Sequence, residues 1–234
     1  MQGKSPTLSL RCHGPLAVFT RPEFKVERMT YPVMTPSAAR GIVEAVLWKP
    51  AMRWRIERIK VLRPIEFTSF RRNELISKAV APPAELIHGG GEIAAYLADE
   101  DRAQRNTVAL RDVDYVIEGR IELTERAKSD DNVNKFVDMF RRRVIKGQCF
   151  QTPYFGCREF PADIRPVGDD VTPIPETCDL GVMLWDIEFG PSNRPVFFRA
   201  RMTNGVIEVP PDAAAARESC QRAVFAKGNA FDAA

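Results

Sequence analysis

The chain has 234 residues, 44% hydrophobic and 28% charged, with a formal net charge of +3 and a sequence pI of about 8.6. That length holds one large domain or a domain with a substantial appendage, and the composition is that of a soluble globular protein. The mild basicity neither requires nor excludes a nucleic-acid partner, because clustering of charge decides that question. Met1-Gln2-Gly3-Lys4 opens without an apolar run, and no stretch approaches the roughly 18 apolar residues of a membrane span. A cytoplasmic protein is expected. Five cysteines without a Cys-x-x-Cys pair, and only two histidines, argue against a zinc site and for reduced thiols. No metal and no cofactor are expected.

Leu8, Leu10 and Cys12 alternate with polar residues and predict a strand. A loop with Pro15, Pro22, Pro32 and Pro36 follows. Ser37 is the expected cap of a helix with apolar residues Ile42, Val43, Val46 and Leu47, stopped by Pro50. Strand patterns return at Trp54, Ile56 and Lys60-Val61-Leu62, then at Ile65, Phe67 and Ser69. From Asn73 to Arg105 the pattern weakens, and Gly89-Gly90-Gly91 predicts an exposed turn or mobile loop. Val113, Tyr115, Ile117, Ile121 and Leu123 share one parity and predict a long strand interrupted near Gly119. A helix is expected from about Asn132 to Lys146, with start signals at Ser129, Asp130 and Asp131 and a stop at Gly147. Met183, Trp185 and Ile187 alternate, Val196–Met202 follows, and Asn204-Gly205 predicts a hairpin into Val206–Val209. Beyond Pro210 a loosely held tail is expected, and no internal repeat is visible.

The order strand, helix, strand, strand, longer strand, helix is compatible with a ferredoxin-like βαββαβ core, as with several other α+β folds. On the second helix, Val133, Val137, Phe140 and Val144 form an apolar stripe, with Lys135, Arg142 and Lys146 opposite and Arg141 and Arg143 flanking. Such a line of cations can follow a phosphate backbone or simply be a solvated face. A second basic set is Arg21, Lys25, Arg28, Arg40, Arg71 and Arg72, interleaved with Phe19, Phe24, Tyr31 and Phe70. Single-stranded RNA readers stack bases on such aromatics, although aromatics beside strands commonly belong to the core. His13 is a structural histidine or a proton carrier, and His88 precedes three glycines. No phosphate loop, dinucleotide fingerprint or metal-carboxylate string is present. Asp130-Asp131 and Asp169-Asp170 read as capping and loop charges.

Several separated blocks carry a resemblance. They include Phe19-Thr20-Arg21-Pro22-Glu23, Lys25-Val26-Glu27-Arg28, Thr35–Gly41, Trp48-Lys49-Pro50, Lys60–Ile65 and Phe70–Glu74. Gln104–Thr107, Gly147–Phe150, Tyr154–Phe160 and Phe197–Ala200 continue the series. In this order they resemble the fifth family of CRISPR-associated proteins, subtype I-C (also called Dvulg). The resemblance implies a modified ferredoxin-like (RNA-recognition-motif-type) domain over 1–150 and a β-rich C-terminal extension and tail over 151–234.

It also implies an endoribonuclease that cuts precursor CRISPR RNA at a repeat hairpin. The 2′-hydroxyl attacks the adjacent phosphate without metal, and the protein stays bound to the product in a subtype I-C interference complex. Backbone and large subunits of that complex are the implied protein partners, and non-specific DNA is a further candidate ligand. In the family the catalytic roles fall to a tyrosine before Trp-Lys-Pro and to a Lys-His pair opening the second helix. Here Leu47 fills the tyrosine place, and Lys135-Phe136 is the best placement of the pair. Two readings follow. In one, Lys135 stabilises charge while Tyr31 or His13 moves protons. In the other, the chain binds the 5′ handle of the CRISPR RNA as a structural subunit without cleaving it. Arg21, Lys25, Arg28, Arg40, Arg71, Arg72, Arg142 and Lys146 are the candidate RNA contacts in either case.

Overall fold

A computed structural model describes residues 3–24, 26–78, 80–90, 97–169 and 171–228. The N-terminal alternation forms β1 (Leu8–Ala17), followed by the short β2 (Arg28–Met29) and α1 (Pro36–Val46). Next come β3 (Met52–Val61), β4 (Phe67–Leu75), a one-turn α2 (Ala84–His88) and β5 (Arg102–Leu123). Then follow α3 (Val133–Ile145), β6 (Asp163–Arg165), β7 (Cys178–Glu188), β8 (Arg194–Thr203), β9 (Val206–Glu208) and α4 (Ala213–Gly228). The architecture is α+β. The strands form one sheet in the order β6-β1-β5-β3-β9-β8-β7, with β2 and β4 also paired to β5. Among the described residues only the β2–β5 pairing is parallel.

The 22-residue β5 is the spine. Its C-terminal half lies between β1 (Leu8↔Gly119 to Ala17↔Leu110) and β3 (Met52↔Leu123 to Val61↔Tyr115). Its N-terminal half carries β4 and β2. The expected break near Gly119 is absent from β5 and lies across the ladder, as a bulge in β3 between Ile56 and Arg58. A Cβ on Gly119 would sit 2.7 Å from the Arg55 carbonyl oxygen, so glycine admits the bulged neighbour. The strand also begins well before Val113, because pairing with β4 compensates for the weak local pattern.

One sheet face is apolar and carries α1 and α3. Leu10, Cys12, Tyr115, Ile117 and Ile121 are buried there with Ile42, Val46, Phe136 and Phe140. Trp54 of β3 meets Phe140 of α3 edge-on, with centroids 4.7 Å apart. The opposite face is laced with charge. Glu122 is held by Lys4, Arg53 and Arg55, Glu118 by Arg58 and Lys60, and Asp114 by Arg11.

Three expectations change. The cap of α1 is Thr35, whose Oγ1 accepts from the Ala38 N–H at 3.3 Å, and Ser37 lies inside the first turn. Pro36, lacking an N–H, suits the first helical position and so sets the cap one residue earlier. The cap of α3 is Asn132, whose Oδ1 accepts from the Asn134 N–H at 2.9 Å. The expected loose tail is α4. Asp212 accepts from the Ala215 N–H at 2.9 Å, and the alanine run supplies helix propensity. Ala216 is buried against the sheet, and the Ser219 Oγ accepts from the Arg199 N–H at 2.9 Å. The Asn204-Gly205 turn forms as expected, with φ of 48° and 71°. Lys25, Gly91 and Asp170 lie outside the described residues. Among the described residues no helix is long and apolar enough to cross a membrane.

Candidate active site and nucleic-acid interface

The end of α1 organises the site. A helix leaves its last carbonyls without intrahelical partners. Here three consecutive ones are taken up from outside the helix. The Ala45 carbonyl accepts from the Phe150 N–H at 2.8 Å, Val46 from the Arg143 guanidinium at 2.6 Å, and Leu47 from the Trp54 indole at 2.8 Å. Arg143 also brings positive charge to the negative end of the helix dipole. Leu47 leaves the helix in extended conformation (φ −150°, ψ 118°), so α1 ends before Pro50 is reached.

The Trp48–Ala51 loop is then tied to the chain leaving β5. Thr124 Oγ1 donates to the Pro50 carbonyl at 2.7 Å, and its N–H to Ala51 at 3.0 Å. That pairing sets Lys49, Pro50 and Ala51 beside Arg126, Lys128, Asp130 and Asp131. Lys135, Phe136 and Met139 of α3 complete a depression of about 430 Å³. An adjoining hollow of about 480 Å³ is lined by Trp48, Pro50, Met52, Arg53 and Leu123–Arg126. Four cations of the depression face two carboxylates. Asp131 is partly committed: one oxygen lies 3.7 Å from the Lys135 ammonium and the other accepts the Lys128 N–H at 3.0 Å. The arrangement suits an anion, and a ring of ammonium groups can hold charge developing on a phosphate.

The sequence candidates distribute unevenly around this site. Lys135 is half-exposed at the rim, while Leu47 and Phe136 are buried (0% and 3% exposed). Tyr31 does not line the depression. It is buried, with its N–H bonded to the Phe19 carbonyl at 2.8 Å and the Arg21 guanidinium 5.1 Å from its ring centroid. Burial first, and Glu23 second, push its phenol above the ordinary range, against a hydrogen bond from the Leu184 backbone and the charge of Arg21. His13 is half-buried on the charged face of the sheet, across from Asp114 and Asp163, whereas α3 packs on the other face. Lys135 therefore meets Lys49, Arg126 and Lys128 rather than Tyr31 or His13.

Among the RNA-contact candidates, Arg142 and Lys146 are exposed on α3 with Arg141 beside them. Arg71 is exposed on β4. The other described candidates are engaged. Arg40 forks onto Asp186 at 2.7 and 2.9 Å and reaches Glu44 at 2.8 Å. Arg28 bridges Glu74 at 3.2 Å and Glu159 at 3.7 Å. Arg72 pairs with Glu159 and lies over the Phe70 ring at 5.3 Å, and Arg21 stands 3.8 Å from Glu23. Of the interleaved aromatics, Phe19 and Tyr31 are core and Phe70 is half-buried, which leaves Phe24 partly in solvent.

Sequence reasoning did not name Trp48, Lys49, Arg126 or Lys128 as site residues. The Trp-Lys-Pro block was one available signal, and Arg126-x-Lys128 in the polar link before α3 was another. Among the described residues, no three His, Cys, Asp or Glu side chains converge as metal ligands, and the five cysteines are unpaired.

The fold is shared with a CRISPR-associated protein of known structure. It superposes on the crystal structure of a CRISPR-associated protein with a TM-score of 0.65 at 22% identity, covering 89% of this chain and 93% of the other. The family model described as CRISPR-associated protein (Cas_Cas5) matches residues 7–210. A protein from Mannheimia succiniciproducens named CRISPR pre-crRNA endoribonuclease Cas5d is 48% identical over 215 residues, covering 87% of this chain and 95% of that one. One of the same name from Thermus thermophilus is 38% identical over 224 residues, covering 88% and 92%. The chain belongs to the CRISPR-associated Cas5 family.

Proposed function

We propose that this chain is a pre-crRNA endoribonuclease of the subtype I-C kind that cuts at a repeat hairpin and stays on its product. One observation carries the reading: the cationic depression around Lys135 forms at the Trp48-Lys49-Pro50 block. It does so in a chain similar over most of its length to proteins named for that activity. A 2′-hydroxyl attacks the adjacent phosphorus, the bond to the 5′ oxygen breaks, and a 2′,3′-cyclic phosphate remains. Lys135, with Lys49, Arg126 and Lys128, holds the phosphorane charge without a metal ion. Proton transfer falls to a group other than Leu47 and Phe136. Tyr31 and His13 are the candidates from sequence, although neither lines the depression with Lys135, and Tyr31→Phe and His13→Ala test each.

The order β6-β1-β5-β3, threaded by α1 and α3, supports a ferredoxin-like core within 1–150, closed by β6 from the 151–234 part. Backbone and large subunits of an interference complex are the proposed partners, in the cytoplasm, and non-specific DNA is a secondary ligand.

The burial of Leu47 and Phe136 favours a second reading, a handle-binding subunit without cleavage. Incubation of the protein with its repeat hairpin in excess EDTA separates the two. A single cut leaving a cyclic phosphate supports the nuclease. Tight binding with no cut supports the structural subunit. Activity lost in EDTA and restored by a divalent ion overturns the metal-free mechanism.

A further inference from the structure

Two large aromatic rings stand in solvent at the corner where α1 ends. Phe150 is 85% exposed and Trp48 is 52% exposed, although such rings normally gain most from burial. Neither sits on a slack loop. The Phe150 N–H is bonded to the Ala45 carbonyl at 2.8 Å, and Gln148 N–H to Arg143 at 2.9 Å. Trp48 lies between Leu47, whose carbonyl receives the Trp54 indole, and a turn closed by Met52 N–H on Lys49 at 3.0 Å. Both rings are thus presented from one fixed helix end, with the Arg143–Val46 bond between their anchors.

The charge around them is predominantly positive, although Glu125 shares the hollow beside Trp48 with Arg53 and Arg126. Residues 45–50 and 141–150 contain Lys49, Arg141, Arg142, Arg143 and Lys146 and no carboxylate. The other strongly exposed phenylalanines differ, since Phe67 follows Glu66 and Phe189 follows Glu188. π faces on anchored backbone amid an excess of cations match unpaired nucleotides, whose bases stack while their phosphates meet the positive charge.

We propose that Trp48 and Phe150 are stacking platforms, each taking one unpaired nucleotide of the RNA next to the hairpin. The proposal rests on the pre-crRNA reading above. The test uses the full chain and repeat RNA carrying 2-aminopurine at single unpaired positions. Trp48→Leu and Phe150→Leu keep an apolar side chain and remove the π face. Each should weaken binding about 5- to 100-fold and abolish quenching at one position. The slope of affinity against salt should hold, because no phosphate contact is lost. Phe150→Tyr and Trp48→Phe should stay within a few-fold of the parent.

Leucine variants that bind and quench like the parent overturn the proposal. So do leucine variants that keep RNA affinity but no longer assemble with the complex subunits, which would make the corner a protein interface. If the parent chain binds no repeat RNA at all, the pre-crRNA reading itself falls, an outcome distinct from either. Unchanged thermal melting of the variants guards against misfolding as the cause.

Discussion

The strap around β2 and the outer face of α3 are both rich in arginine, and they use it in opposite ways. In the strap, Arg28, Arg72 and neighbouring Arg40 are answered by Glu74, Glu159, Asp186 and Glu44. The charged sheet face follows the same rule around Glu122 and Glu118. On α3, Arg141, Arg142 and Lys146 face solvent, and among the described residues Lys135 alone of these cations has an ion pair, at 3.7 Å. Cations fixed by carboxylates hold elements together. Cations left open are available to a polyanion.

Lys135→Ala breaks or sustains this contrast most sharply. Single-turnover cleavage of the repeat hairpin should fall by about 100-fold or more, with a much smaller change in affinity. An unchanged rate would remove the depression from the chemistry.

On the neutralised side, Glu122 offers the largest stability effect. Burial alone would raise its pKa, but hydrogen bonds from Arg55, Lys4 and Arg53 bring it from 4.5 down to about 2. A depressed carboxylate stabilises the fold above its unfolded value, and that contribution is lost as pH falls from about 4.5 towards 2. Its size is about 3 kcal/mol. Glu122→Gln should lower neutral-pH stability by that order and flatten the acid-unfolding curve in this window. Denaturant titrations at pH 7 and pH 3 would show it, and an equally steep acid transition in the variant would refute it.

Arg142→Ala with Lys146→Ala should weaken RNA binding about tenfold and make the log–log salt slope shallower by about 1.5, measured between low and moderate salt. The smallest effect should come from Arg28→Ala with Arg72→Ala. RNA affinity should stay within about twofold and the slope unchanged, and a change as large as that of the α3 pair would erase the distinction between the two regions.

Legibility in the sequence followed the range of the interactions. The α3 stripe, the Asn204-Gly205 hairpin and the β7–β8 alternation were readable because spacing and turn chemistry specify them locally. Ser37 was misread because it competes with Thr35 beside a proline. The front half of β5 was missed because its strand state depends on β4. Helix α4 was missed because alanine carries no amphipathic signal. Arg40 has Glu44 one helical turn away, but the carboxylates that complete the pairing of Arg28, Arg40 and Arg72 lie far off in sequence, at Glu159 and Asp186, so the three read as an RNA surface. Lys49 and Lys135 likewise converge only when the Thr124 bonds fold the chain back.

The spine strand also sets the order of events during synthesis. Leu8 of β1 pairs with Gly119 of β5, and Arg11 of β1 then receives Arg165 of β6. At about 5–20 residues per second, β1 leaves the ribosome roughly 5–20 s before its partner exists. Throughout that interval its apolar side chains Leu8, Leu10 and Cys12 have no sheet to enter, and β3 waits with them. Nascent chains ending before Leu123 should therefore be captured by holdases and proteases, and the native sheet should close only once nearly the whole of β5 has been made.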